Sequence, residues 1–212
     1  MIRTRLALLS LAAALALAAP VQTVSAAPQA GAASKAKIVT GTYTIEKPHT
    51  DIAFTVTHMG ITKTHGSFTD YDGAITADGT NPEKSSVTFT IKAASINTGD
   101  TGRDGHLKSK DFFDVDKYPT ITFKSTKIVK TAVGFVAIGD FTMHGVTKTI
   151  RLPFAVTGPQ TGMDKKTHIG VDSTLVIDRK EYGLTWNAVI EGTKAVGDDV
   201  TITISMDLVK GA

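Results

Sequence analysis

The sequence contains no cysteine among its 212 residues. That absence excludes disulfide bonds, thiol catalysis and thiolate metal sites, and it also excludes a lipid-modified N-terminal cysteine. Stability must therefore come from a packed core, and the chain is long enough to form one domain around such a core. Because no covalent lipid is expected, we predict no stable membrane anchor on the mature protein.

Motifs of common catalytic machinery are also missing. There is no Gly-x-Ser-x-Gly, and Gly99, Gly102 and Gly105 have the wrong spacing for a dinucleotide-binding loop. The six histidines form neither His-x-His nor His-Glu-x-x-His. No metal site is predicted, although ligands could still meet across strands. We therefore predict no cofactor and no catalytic residue.

The chain also lacks an excess of charge of one sign. It has 23 lysines and arginines against 20 aspartates and glutamates, and Arg3 and Arg5 lie in an N-terminal segment without acidic residues. The remainder is close to neutral, so it lacks the basic surface expected of a protein that binds nucleic acid. We predict no nucleic-acid partner.

The longest apolar run lies at the N-terminus. A short basic start precedes an alanine- and leucine-rich stretch at residues 6–19, and small residues follow at 24–26. About 14 apolar residues suit a secretory signal and are too few to span a bilayer. Residues 1–26 are predicted to be a cleaved signal peptide for export to the periplasm, with an uncleaved anchor as the alternative. Residues 27–40 are predicted to be a flexible tether.

From Gly41 onward the apolar residues recur with a period of two. In the clearest run, Val200–Leu208, every second residue is apolar and the residues between are threonine, serine or aspartate. Similar runs surround Phe54, Phe89 and Phe123. Such alternation indicates strands with one buried face, and many such strands joined by short turns predict an all-β sandwich or barrel.

Residues 41–210 are predicted to form this single domain. The strand segments are long, and Gly66 and Gly73 occupy positions that suit sharp bends, which favours a barrel whose strands wrap around one apolar interior. Periodicity does not decide whether side chains or a ligand fill the interior, so both possibilities stay open.

The segment 100–114 lacks alternation and is predicted to be a loop that leads into a short helix. Arg103, Asp104 and His106 concentrate charge there, and they have two interpretations: a local ion pair with a helix cap, or a polar rim over the mouth of a barrel. His58 continues an apolar strand face and is interpreted as a core histidine bonded to a backbone carbonyl. Contact with the head group of a ligand is the alternative.

Several spaced motifs follow one another along residues 41–208. Pro-His-Thr-x-Ile-x-Phe-x-Val-x-His occupies 48–58, and Ser-Ile-Asn-Thr-Gly at 95–99 precedes Arg-Asp-x-His-Leu-Lys-Ser at 103–109. Further matches are Asp-Phe-Phe-Asp-Val at 111–115, Tyr-Pro-x-Ile-x-Phe at 118–123, Gly-Val-Thr-Lys at 145–148, Asp-Arg at 178–179 and Val-Gly-Asp-Asp-Val at 196–200. In this order and spacing they resemble the YceI-like family of bacterial lipid-binding proteins.

The resemblance implies a lipocalin-like antiparallel barrel of about eight strands with one or two short helices at its mouth. It also implies that the interior binds a polyisoprenoid or a similar long-chain lipid. Each buried CH₂ contributes roughly 0.8 kcal/mol, so a chain of a few dozen carbons outweighs an association cost of ~15 kcal/mol. The resemblance makes no prediction of the oligomeric state.

We therefore expect an exported lipid carrier. An enzyme that acts on a bound lipid, with Arg103, Asp104 and His106 as its candidate groups, is one alternative, and a periplasmic stress-response protein is another. The predicted cavity residues are Phe54, Val56, Phe89, Ile91, Leu107, Phe112, Phe113 and Phe123. The predicted polar residues at the mouth or head group are Arg103, Asp104, His106 and His58.

Overall fold

The computed structural model describes residues 38–190 and 192–211. The predicted signal peptide and the larger part of the predicted tether lie outside these residues. None of the described helices is long and apolar enough to cross a membrane.

Twelve strands and one α-helix are present in the described part of the chain. In chain order the strands are β1 (Gly41–His58), β2 (Thr62–Phe68), β3 (Tyr71–Ala77), β4 (Ser86–Lys92), β5 (Ile96–Asn97), β6 (Thr120–Thr131), β7 (Gly134–Met143), β8 (Val146–Thr161), β9 (Thr167–Asp178), β10 (Val189–Ile190), β11 (Thr193–Lys194) and β12 (Val196–Lys210). Helix α1 (Thr101–Lys108) follows β5, and short 3₁₀ turns lie at Pro82–Lys84, Ala93–Ser95 and Arg179–Tyr182.

Eight of the strands form a closed antiparallel barrel. Their order is β1, β3, β4, β6, β7, β8, β9 and β12, and the pairing of β12 with β1 closes the sheet. Strand β1 is long enough to have two neighbours on its other edge: residues 41–43 pair with β3, and residues 53–58 pair with β2. The architecture confirms the predicted all-β barrel, which satisfies the polar edges of its strands by closure.

The two ends of the barrel carry different connections. At the helical end lie α1, the turn from β1 to β2, and the connection from β9 to β12. At the N-terminal end lie residues 38–40, the connection from β3 to β4, and the turn from β8 to β9.

The last residues of the predicted tether belong to the packed barrel. Ile38 packs against the core at the N-terminal end. The Tyr43 hydroxyl donates a hydrogen bond of 2.8 Å to the carbonyl of Val39, and the Thr40 hydroxyl accepts one from the backbone of Gly79. Residues 38–40 are therefore held against the barrel by the packing of Ile38 and by these two hydrogen bonds.

The predicted order of loop and helix in segment 100–114 is wrong. Helix α1 comes first, because the Asp100 carboxylate accepts a hydrogen bond of 2.8 Å from the backbone N–H of Arg103 and so caps the helix. The turns follow the helix and lead to β6. Asp100 and Asp104 are both residues that favour helix starts, so the sequence pattern did not distinguish them.

Gly66 and Gly73 make room for aromatic rings. Gly66 is the cross-strand partner of Phe54, and Gly73 is the partner of Phe89. A Cβ on Gly66 would lie 2.4 Å from the Phe54 ring, and a Cβ on Gly73 would lie 2.9 Å from the Phe89 ring. The missing side chains thus let two large rings lie against their neighbouring strands.

Candidate functional site

An apolar cavity extends along the inside of the barrel. Its larger part, toward the helical end, has a volume of about 180 Å³, counted as space open to the centre of a water molecule. A smaller part of about 90 Å³ lies toward the N-terminal end. A single water needs roughly 10–15 Å³ on this measure, so the side chains leave far more space than one solvent molecule needs. The residues common to both walls are Val87, Phe123, Leu152, Ile204 and Met206.

All eight predicted cavity residues lie on the wall of the larger part. Those on strands are Phe54 and Val56 of β1, Phe89 and Ile91 of β4, and Phe123 of β6. They reach the interior because successive side chains of a strand alternate between its two faces. Leu107, Phe112 and Phe113 come from α1 and the turn that follows it. Their contact with a lipid stays a prediction.

Phe113 joins the segment after α1 to the barrel wall. Its ring meets the Phe68 ring edge-on, with centroids 5.9 Å apart, and the Phe68 ring lies 5.8 Å from that of Phe54. Ring pairs at this spacing contribute about 0.5–1.5 kcal/mol beyond the area they bury. Aromatic contacts thus hold Phe113 and the turn after α1 over the helical end of the cavity.

His106 belongs to a second aromatic group over the same end. Its ring centroid lies 5.1 Å from that of Phe112 and 4.8 Å from that of Trp186, edge-on in both cases. Its Nε2 atom is 2.9 Å from the Asp111 carboxylate. His106 therefore packs against a cavity residue, Phe112, without lining the cavity itself. Trp186 was not predicted, because it lies in a connection without any periodic pattern.

Arg103 and Asp104 both bind Thr98. Arg103 donates from Nε to the Thr98 hydroxyl at 2.8 Å and from Nη2 to its carbonyl at 3.0 Å. The Asp104 carboxylate accepts hydrogen bonds from the Thr98 backbone N–H at 2.9 Å and from its hydroxyl at 2.6 Å. The two residues anchor α1 to the end of β5 instead of forming the predicted ion pair, and neither lies on the cavity wall. Their contact with a head group stays a prediction.

The interpretation of His58 as a core histidine is wrong, because its side chain is exposed. The pairing of β1 with β12 is regular from Asp51 to Val56, and then shifts so that His58 lies opposite Val196. His58 is the last residue of β1. Its side chain is therefore exposed at the end of the strand, and it does not line the cavity.

Arg179, which the sequence indicated only as part of the Asp-Arg motif at 178–179, is a charged residue on the cavity wall. Its side chain is only 5% exposed. The guanidinium donates to the carbonyls of Gly197 at 2.9 Å and of Trp186 at 3.0 Å, and also to that of Leu184. Burial lowers the pKa of Arg179, whereas the Asp198 carboxylate, 3.8 Å away, acts in the opposite direction. A buried cation thus lies at the helical end of an apolar cavity.

Asp198 links this cation to the surface. The Nζ atom of Lys180 lies 2.8 Å from its carboxylate, and Lys194 contacts the same oxygen. Hydrogen bonds from these two lysines lower the pKa of Asp198 to about 2. The carboxylate therefore stays ionised beside Arg179 at neutral pH.

A family model described as a YceI-like domain matches residues 43–208. The chain belongs to the YceI-like family. A UPF0312 protein of Yersinia enterocolitica is 36% identical over 149 residues, which cover 69% of this chain and 78% of the relative. A UPF0312 protein of Photorhabdus laumondii is 42% identical over 118 residues, which cover 55% of this chain and 62% of the relative. These matches confirm the predicted resemblance.

Solved structures share the YceI-like barrel. The YCEI protein of Campylobacter jejuni matches with a TM-score of 0.63 and 32% identity, over 80% of this chain and 98% of that protein. BcnA of Burkholderia cenocepacia matches with a TM-score of 0.68 and 23% identity, over 77% and 98%. A polyisoprenoid binding domain from Saccharophagus degradans matches with a TM-score of 0.62 and 16% identity, over 80% and 98%. At these identities the last two show the common fold alone.

Proposed function

We propose that this YceI-like protein binds a long apolar or amphiphilic lipid of the polyisoprenoid class inside its barrel. The observation that carries the proposal is the cavity along the barrel, whose wall is built from the inward faces of the strands. The Saccharophagus degradans domain has the same fold and is a polyisoprenoid binding domain, which supports this class of ligand.

The chemistry of the wall favours a hydrocarbon chain. Apart from Thr122 and Arg179, the side chains around the larger part are aliphatic or aromatic, or the thioethers of methionine. A ligand with polar groups along its length would lose hydrogen bonds to water there without replacement, at a cost of roughly 1–3 kcal/mol for each group. A chain of CH₂ and CH₃ groups meets no such cost and gains from burial.

We propose that the polar head group of the lipid lies at the helical end. Arg179 lies on the wall there, although its guanidinium already donates to backbone carbonyls, so it would contribute positive charge more than hydrogen bonds. Arg103 and His106 both lie on α1 at the same end, where we propose that they face a head group outside the cavity. The smaller, N-terminal part of the cavity would hold the tail.

We further propose that the protein is exported to the periplasm as a carrier, through the signal at residues 1–26. The proposal rests on the basic start, the apolar stretch and the small residues before Ala27. N-terminal sequencing of the protein from its own cells is expected to begin at Ala27. A retained Met1, or recovery in the inner membrane, would contradict export.

We propose a binding protein instead of a lipid-modifying enzyme because the three candidate catalytic side chains do not lie together at one site. Arg103 and Asp104 are bound to Thr98, and His106 is bound to Asp111. None of the three polar residues named as candidates lines the cavity, where a bound chain would react. Turnover of a polyprenyl compound by the purified protein would overturn this choice.

A matched pair of variants tests ligand binding in the cavity. Phe89→Asp introduces a carboxylate into the apolar wall, whereas Thr88→Asp introduces the same group on the exposed face of the same strand. The first is expected to abolish uptake of a polyprenol, because an ionised group in an apolar site costs several kcal/mol. The second should bind like wild type. Equal binding by two folded variants would refute a ligand in this cavity.

A further inference from the structure

A group of side chains of the types that bind metal ions lies on the outer face of the barrel. The group is polar, unlike the cavity wall, and it lies on the opposite side of the strands. Glu46 and His49 come from β1, and Asp207 comes from β12. One potential ligand atom of each lies within 4.8 Å of the other two. The group therefore bridges the two strands whose pairing closes the barrel.

The local fold brings these three side chains together. Glu46 lies directly opposite Asp207, and the next regular pair is Asp51 with Ser205. Residues 47–50 thus form a bulge opposite a single residue of β12. The bulge turns His49 back over Glu46, so that the His49 Nδ1 atom is 2.9 Å from the Glu46 carboxylate.

Two carboxylates that face each other across a strand pair repel one another. Glu46 and Asp207 do so while their side chains are only 29% and 27% exposed, which weakens screening by water. Of the two carboxylates, His168 contacts only that of Asp207, so a positive charge between them would remove the repulsion that this contact leaves. Imidazole nitrogen and carboxylate oxygen are also the ligands that divalent zinc and its neighbours in the first transition series accept.

His168 supports the Asp207 carboxylate from the other side. Its Nδ1 atom is 2.9 Å from Oδ1 and 3.0 Å from Oδ2 of Asp207, and its Nε2 atom is 3.1 Å from the Asp164 carboxylate. Chains of this kind, in which a second residue holds a ligand in orientation, are typical of metal sites. The Asp207 carboxylate is thus oriented without help from an ion.

We propose that Glu46, His49 and Asp207 bind one divalent transition-metal ion of the zinc type, which fastens β1 to β12 at the seam of the barrel. Ligands of a tetrahedral zinc lie roughly 3.3 Å from one another, given bonds of about 2.0–2.2 Å. The Glu46–His49 pair is already as close as that. His49 is 74% exposed, so its side chain is free to turn toward Asp207. Water would complete the coordination.

The test uses the untagged mature protein, titrated with Zn²⁺ by calorimetry at neutral pH, and with Co²⁺ by visible absorption. One ion per chain is expected, together with a rise in melting temperature, since an ion that binds the folded state stabilises it. His49→Ala and Glu46→Gln should each weaken Zn²⁺ binding by roughly tenfold or more and abolish the rise. His65→Ala removes an exposed histidine elsewhere on the outer face and should change neither result.

Two outcomes overturn the proposal. One is the absence of Zn²⁺ binding by the wild-type protein at millimolar zinc. The other is equal binding by wild type and His49→Ala, which would mean that the group consists of hydrogen-bonded ion pairs only. Because the His49 side chain is largely exposed, this variant is expected to fold. The test of the metal site therefore does not need variants of Asp207.

Discussion

The two ends of the barrel are closed in different ways. At the N-terminal end the side chains of the strands pack around the smaller part of the cavity: Tyr43 and Leu208 are each 2% exposed and belong to one buried cluster with Val156. At the helical end the cavity is covered by α1 and the turn after it, whose Leu107 and Phe113 are only partly buried. Opening the first end would require loss of strand packing, whereas opening the second requires displacement of α1 and the turn after it, which are held by side-chain contacts and by hydrogen bonds to Thr98. A lipid is therefore expected to enter at the helical end.

The largest effect on stability is expected at the N-terminal end. Tyr43→Ala removes a buried ring and its hydrogen bond to Val39, so the free energy of unfolding should fall by about 3–5 kcal/mol. The rate of lipid release should change little, because Tyr43 does not line the cavity. Urea unfolding and a ligand-exchange assay measure the two quantities. A loss below about 1 kcal/mol would contradict the description of this end as core.

Phe113→Ala should change the rate of lipid release more than it changes the free energy of unfolding. It removes the edge-on contact with Phe68 over the helical end, so lipid release should become up to about tenfold faster, which corresponds to a ring contact of 0.5–1.5 kcal/mol. The loss of stability should be smaller than for Tyr43→Ala, because Phe113 is only partly buried. Val133→Ala, at an exposed turn of the other end, is the control for the release rate. Unchanged release from Phe113→Ala would place the entrance elsewhere.

Arg103→Ala is expected to have a modest and selective effect. If the head group lies at the helical end, the variant should bind a polyprenyl phosphate about two- to fivefold more weakly, since an exposed charge contributes under about 1 kcal/mol. Binding of the neutral polyprenol should be almost unchanged. Lys84→Ala, which removes a cation at the N-terminal end, should affect neither ligand. Equal losses for both ligands would mean that Arg103 acts only by holding Thr98.

The smallest expected effect is a local loss of stability at low pH. The pKa of Asp198 is about 2 in the folded protein, below the ordinary value of 3.8, because Lys180 and Lys194 bind the carboxylate. Its contribution to stability is therefore complete above pH 3.8 and is lost as the pH falls toward about 2. Amide exchange in the connection from β9 to β12 should rise in this range before exchange at the N-terminal end does. In Asp198→Asn this early rise should disappear. An acid response identical to that of wild type would show that Asp198 is not its source.

Strand alternation was sufficient to predict the barrel interior. Phe54, Phe89 and Phe123 each lie on the apolar face of a run with a period of two, and all three line the cavity. Such a prediction succeeds because the direction of a side chain in a regular strand depends only on local geometry. It failed at His58, because alternation does not show that β1 ends at this residue, where the side chain is exposed.

The polar end of the cavity was less predictable. Arg179 and Trp186 lie in connections, where no repeating pattern indicates the direction of a side chain. Arg179 becomes buried because backbone carbonyls of Leu184 and of Gly197, at the start of β12, surround its guanidinium. The group of Glu46, His49 and Asp207 depends in the same way on tertiary contact, since Asp207 is far from the other two residues in the sequence.

The most direct test of the account is mass spectrometry of an organic extract from the wild-type protein, purified without detergent from the periplasm of its own cells. We expect one long-chain, predominantly hydrocarbon lipid of the polyisoprenoid class for each barrel, and its absence from a parallel preparation of Phe89→Asp. A wild-type protein that yields no such lipid and takes up no added polyprenol would contradict the account.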